Sequence, residues 1–197
     1  MNPKHRQLLK VIAPLLIVGL GYFGVNLDKY GIDLEALLSG NTSSLSSSSS
    51  NSGSGSHAPA DYAQWSSTKP EINLWHVFEG EINRSGKPVG FHSRPGGRDP
   101  ANARVADIRD RPNRLGVYTA TIEIRDGDTW KSKFSSFFPD ELSREEVIEA
   151  VLNAYRESDN PRAQPFEGPS GLGFRIQGYT SNRGGINTAF PVFVRNP

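Results

Sequence analysis

An α+β fold is what this 197-residue sequence predicts, and three stretches predict it. "GVYTATIEIRDGDTWKSKFSSFF" alternates apolar and polar residues on both sides of a turn containing Asp-Gly, the signature of a β-hairpin. "FRIQGYTSNRGGINTAFPVFV" repeats that pattern around Arg-Gly-Gly and predicts a second hairpin. Between them, "SREEVIEAVLNAYRES" places Ser143 three residues before Glu146, a capping box, and sets Val147, Ile148, Val151 and Tyr155 on one helical stripe. Strands, one helix and strands again is the α+β order.

The remaining segments are less regular. "DNPRAQPFEGPSG" reads as a loop, and Arg94 to Arg114, rich in charge and holding three prolines, reads as a long irregular or partly helical excursion. The globular domain is expected over residues 70–197, about 128 residues, enough for its own core. Ahead of it, residues 41–69 form a Ser/Gly-rich linker whose composition buries too little apolar surface to offset its ordering entropy.

Residues 1–40 predict a signal anchor and a juxtamembrane segment. Lys4, Arg6 and Lys10 precede "VIAPLLIVGLGYFGVNL", seventeen residues at the lower limit for crossing the hydrocarbon layer. The basic flank sets the N-terminus in the cytoplasm and the domain outside. No small-x-small cleavage site follows, so the reading is a single pass through the inner membrane with the C-terminal domain facing the periplasm or exterior, with secretion after signal cleavage as the alternative.

Composition excludes several chemistries. There is no cysteine, hence no disulfide framework, no thiolate metal site and no thiol nucleophile. Net charge is +1, against a protein that coats long nucleic acid, yet between Arg84 and Arg114 eight basic residues stand against three acidic ones. Gathered by the fold, they would attract phosphate.

Two of the four histidines, His76 and His92, lie sixteen residues apart in "HVFEGEINRSGKPVGFHS", each near a glycine and an aromatic. Gly80 and Gly90 suit close backbone turns, and Phe78 and Phe91 suit fixing the rings. Two imidazoles across a phosphodiester can act as general base and general acid, so that a ribose 2′-hydroxyl becomes the nucleophile and a 2′,3′-cyclic phosphate the product. The chemistry needs no metal. A zinc site would need a carboxylate such as Glu79 or Glu81 to join them, and the spacing is poor for it. Structural histidines in a noncatalytic, envelope-tethered binding module are the competing reading.

"WHVFEGEI" followed by "VGFHS" resembles the two-histidine signature of the EndoU endoribonucleases. "SSFFP" after a lysine-bearing strand, the helix "REEVIEAVLNAYRE" and the terminal "INTAFPV" resemble the bacterial, toxin-type branch, so the likeness extends from Leu74 to Val194. It implies an EndoU-like fold of the barnase/EndoU/colicin/RelE group and metal-independent cleavage of single-stranded RNA or an exposed tRNA loop. A role as a toxin, with an immunity protein as partner, is the biological expectation; the other partners are RNA and, through the N-terminal helix, a membrane. No cofactor is expected, and nothing forms an obvious manganese site.

The resemblance also implies roles. His92 matches the general base and His76 the acid, with the pairing firmer than the order. Lys131, Lys133 and Ser135 share one strand face by period two. Lys131, four residues before Ser135 as in the coronavirus relative, is preferred as the catalytic lysine. Lys133 is the alternative and, with Ser135, Phe190 and Tyr179, is assigned to substrate binding. Thr188, in "NTAFP", matches a position that contacts base or phosphate. Some relatives carry tyrosine where this chain has Phe190, so stacking survives and the hydroxyl is lost; Tyr179 on the facing strand is the candidate to replace it.

Overall fold

The structure, a computed structural model, describes residues 62–197, and the expected signal anchor and most of the expected linker lie outside the described residues. Among the described residues no helix is long and apolar enough to cross a membrane. Among the described residues, three antiparallel sheets, two α-helices and a short 3-10 turn (Pro95–Gly97) make an α+β domain.

After an extended entry comes α1 (Leu74–Phe78), then the short strands β1 (Glu81–Ile82) and β2 (Pro88–Val89), which pair with each other. A three-stranded meander follows: β3 (Ala103–Asp110), β4 (Tyr118–Asp126) and β5 (Thr129–Phe137). Helix α2 (Arg144–Arg156) leads to a second meander of β6 (Phe166–Pro169), β7 (Arg175–Thr180) and β8 (Ile186–Pro191).

Both hairpins and the helix form where the local signals put them. In the β4–β5 hairpin Asp126 pairs with Thr129, so the two-residue loop is Gly127-Asp128 rather than Asp-Gly, with Gly127 at φ +59°. The capping box of α2 is complete: Ser143 Oγ accepts from the Glu146 amide and Glu146 accepts from the Ser143 amide. The buried stripe of α2 comprises Val147, Ala150, Val151, Leu152 and Ala154, with Ile148 and Tyr155 at its margin.

Three expectations are corrected. The excursion from Arg94 to Arg114 contains β3, an edge strand exposed over most of its length. Two register shifts break its period, and its charges are satisfied across the sheet: Arg104 reaches Glu123 at 2.6 Å and lies 4.2 Å over the Trp130 ring. An edge strand with charged residues on both faces shows no alternation to read. The supposed loop after α2 contains β6, which presses close to the helix; a Cβ on Gly168 would lie 2.0 Å from the Ala154 carbonyl oxygen.

The last eight residues of the expected linker, 62–69, belong to the fold. Gln64 O and Ile72 O take part in backbone bonds with Leu74 and Ser66, and Trp75 Nε1 donates to Tyr62 O. Tyr62 hydrogen-bonds Glu79 at 2.6 Å beneath the Arg144 guanidinium, 3.6 Å over its ring. Aromatics in this stretch supply the apolar surface that the serine run before it lacks.

Two apolar cores result. One gathers Ile72, Val77, Phe78, Phe138, Phe166 and Ile176 between the helices and the β6–β8 sheet; the other gathers Phe91, Ala120, Ile122, Ile124 and Phe137 under the β3–β5 sheet. The chain from α1 to Ser93 crosses from the first to the second. His76 enters with Val77 and Phe78, His92 with Phe91, and both histidines come to the seam between the cores.

Candidate active site

His76 sits inside the five-residue helix α1, buried on nearly every residue. Asn73 caps it, its side-chain oxygen accepting from the His76 amide at 3.3 Å. His92 arrives by a sharper path: Gly90 (φ +76°) and Phe91 (φ +59°) both adopt left-handed backbone. At Gly90 a Cβ would meet the His76 carbonyl oxygen at 2.2 Å, so only glycine lets the two histidine segments lie this close. The same contact is a bond one residue on, where the Phe91 amide donates to His76 O at 2.8 Å. Phe91, fully buried edge-on against Phe137, holds the unusual backbone in place.

The imidazole centroids are 6.4 Å apart, close enough for one phosphodiester to touch both. Their surroundings differ. His76 Nδ1 lies 3.1 Å from Glu81 Oε1, a carboxylate that accepts a hydrogen bond from Nδ1–H and orients the ring. His92 Nδ1 lies 3.1 Å from the Ser136 carbonyl and 2.9 Å from Ser135 Oγ. The carbonyl can only accept, and Ser135 gives its own hydrogen to Phe91 O at 2.7 Å, so Nδ1 carries the proton and Nε2 keeps its lone pair. Burial, then the Lys133 charge, then His76 hold the His92 imidazole well below the usual histidine range, against a small opposing pull from the Ser136 carbonyl. His92 is therefore neutral near pH 7, the state a proton acceptor needs.

Strand β5 runs beside the His92 segment and bonds it from one face. Lys131 Nζ donates to Gly86 O at 2.8 Å, Lys133 Nζ to Gly90 O at 2.9 Å, and Ser135 Oγ to Phe91 O at 2.7 Å, the period-two face that the sequence implies. The two lysines end in different places. Lys131 also pairs with Asp126 at 2.5 Å near the hairpin tip, on a side chain 38 % exposed. Lys133 sits where its charge acts on His92, and desolvation pushes its ammonium down to about 7. The structure thus brings Lys133, and not Lys131, beside His92. Ser135 is engaged under His92, between Phe91 O and His92 Nδ1.

Strand β8 closes the site. Tyr179 faces Thr188 and Thr180 faces Ile186, which leaves Asn187 as an extra residue in a bulge. The bulge lets Ile186 and Ala189 enter the core while Thr188 and Phe190 turn to the other face, where the Phe190 ring packs 5.2 Å from His92. As direct cross-strand neighbours, Tyr179 and Thr188 share that face. Thr188 Oγ1 is buried and, among the described residues, has no hydrogen-bond partner; the same holds for Ser93 Oγ. A buried hydroxyl left so is ready for a ligand oxygen. Phe190 also lines a cavity of about 210 Å³ with Phe134, Ser136, Gln177 and Phe193.

Sequence reasoning missed the supporting layer of Glu81 as a partner for His76, Ser135 as an orienter of His92, and the cap Asn73. A capping residue three positions before His76 was a readable signal, and Glu81 lies only five positions after it; the Ser135 contact with His92 joins distant segments. Among the described residues no group of three or more His, Asp or Glu side chains gathers as a metal site would require, and Glu79 is bonded instead to Tyr62.

Comparison with known proteins bears on this arrangement. A 119-residue stretch, 60 % of this chain, is 29 % identical to a Bacillus cereus protein called "Toxin", of whose length it spans only 22 %. No solved structure matches. Residues 71–192, containing both histidines, both lysines and Thr188, match the family model of the bacterial EndoU nuclease, and the chain belongs to that family.

Proposed function

We propose that this chain is an endoribonuclease that cleaves single-stranded RNA, or an exposed tRNA loop, by 2′-hydroxyl attack and needs no metal for it. The observation that carries the reading is the histidine pair at 6.4 Å with unlike partners, a carboxylate on one Nδ1 and a carbonyl with a hydroxyl on the other. His92 Nε2 takes the 2′-hydroxyl proton, and the 2′-oxygen forms its bond to phosphorus. The bond to the 5′-oxygen breaks, and His76, held through Nδ1 by Glu81, gives that oxygen a proton from Nε2. The products are a 2′,3′-cyclic phosphate and a 5′-hydroxyl.

Lys133, rather than Lys131, is the cation that steadies the charge on the pentavalent phosphorus, and Thr188 Oγ1 donates to a phosphate or base oxygen. Phe190 supplies a stacking face, and the cavity beside it has room for part of a nucleoside. A flexible single strand reaches the in-line geometry that this attack needs more readily than a stacked duplex. The likeness to a protein named "Toxin" supports an effector role, for which a neutralising immunity protein would be the partner. The basic, apolar N-terminus supports display outside the inner membrane.

The test is RNA cleavage by the full-length protein, with and without chelator. Cleavage should persist in chelator and fall by about 10²–10⁴-fold in His76→Ala and in His92→Ala. Loss of activity on chelation would instead point to a metal hydrolase.

A further inference from the structure

We propose that Asn73 and Asn187 form an amide clamp that sets the spacing between the two halves of the site, which makes both positioning residues for the reaction; the inference rests on the catalytic reading above. Asn73 is almost fully buried at 3 % exposure. Its Oδ1 accepts from the His76 amide, which leaves Nδ2 as donor, and that donates to Asn187 Oδ1 at 3.2 Å. One side chain thus holds the start of the His76 helix and the bulge that aims Thr188 and Phe190.

The backbone gives the clamp a fixed base. The Ile186 amide donates to Glu71 O at 2.7 Å and the Asn73 amide to Ile186 O at 2.9 Å, so residues 71–73 run parallel to the first residue of β8. Those bonds end at Ile186, one residue before the bulge. Beyond it β8 pairs with β7 from Thr188 to Pro191, and were the strand regular rather than bulged Thr188 would point into the core. The Asn187 side chain, reaching back to Asn73, is the bond that holds the bulge to the helix carrying His76. A displacement of about 1 Å between a catalytic acid and a phosphate contact costs on the order of a hundredfold in rate, so a clamp at this joint acts on turnover.

The test is a double-mutant cycle in the full-length protein with three single variants. Asn187→Ala removes the acceptor; Asn73→Ser keeps a capping oxygen but no longer reaches Asn187; Asn187→Asp keeps an acceptor. Asn187→Ala and Asn73→Ser should each lower kcat by about tenfold or more with KM within about twofold, and Asn187→Asp should stay within about threefold of the parent. The pair Asn73→Ser/Asn187→Ala should be no slower than the worse single variant. Hydrogen exchange of the His76 amide, which needs no activity, should quicken severalfold in Asn187→Ala. Additive effects in the double variant, an unchanged His76 exchange rate, or a loss confined to KM would overturn the clamp. If the parent protein cuts no RNA, the catalytic reading fails, and the exchange measurement still decides the clamp. Should Asn187→Ala not fold, Asn73→Ser and Asn187→Asp decide it by the same criteria.

Discussion

Lys131 and Lys133 stand two residues apart on one face of β5, and each donates to a backbone carbonyl of the segment that carries His92. Sequence parity treats them alike. Their difference is the counter-charge: Lys131 lies at the hairpin end, where Asp126 neutralises it in partial solvent, and Lys133 lies over the second core, where its ammonium is desolvated beside His92. A cation already paired and hydrated has little field to lend to a reacting phosphate, whereas a desolvated one is poised for an anion. Four-residue spacing to a serine, taken from the family resemblance, favours Lys131 in the sequence, but Ser135 is bonded beneath His92 rather than to either lysine.

The largest effect should come from removing the two lysines in turn. Lys133→Ala is expected to lower kcat on the order of 10²–10³-fold, as loss of a group that stabilises transition-state charge does. Lys131→Ala, which breaks an exposed ion pair, should leave kcat within about threefold and cost no more than about 1 kcal/mol of stability by chemical denaturation. Equal losses in the two variants would erase the distinction.

A smaller effect sharpens the same comparison through pH. His92 must be neutral to act as base; its depressed affinity for protons places the acid limb of the rate profile well below 6.5. Lys133 must be charged, and its ammonium loses its proton as pH rises through about 7, so the rate should decline above neutrality. Lys133→Arg, whose guanidinium stays charged, should move that decline upward, while Lys131→Arg should leave it in place. Stopped-time cleavage assays from pH 5 to 9 at constant ionic strength read both limbs.

The parts of the fold legible in the sequence are those fixed by neighbours along the chain. The Gly127 hairpin and the Ser143 capping box need only residues within a few positions, and both form as read. Helix α1 escapes because its five residues are buried nearly all round and show no amphipathic period. Strand β3 escapes because its face is charged and its register slips twice, and β6 because proline and glycine fill it.

The site divides the same way. His76, His92, Thr188 and the lysine-bearing face are visible as residue types in a spaced pattern, and the family resemblance orders them. What selects Lys133, spends Ser135 on His92 and joins Asn73 to Asn187 is packing between segments more than 40 positions apart, which no local pattern encodes.

In the proposed reaction the ribose supplies the nucleophile. The decisive experiment gives the full-length protein an oligoribonucleotide it cuts and the same strand with one 2′-deoxyribose at the scissile nucleotide. The first should give 2′,3′-cyclic phosphate and 5′-hydroxyl ends, and the second no cut at that position. Cleavage of both at equal rates, or 5′-phosphate ends from either, would contradict it.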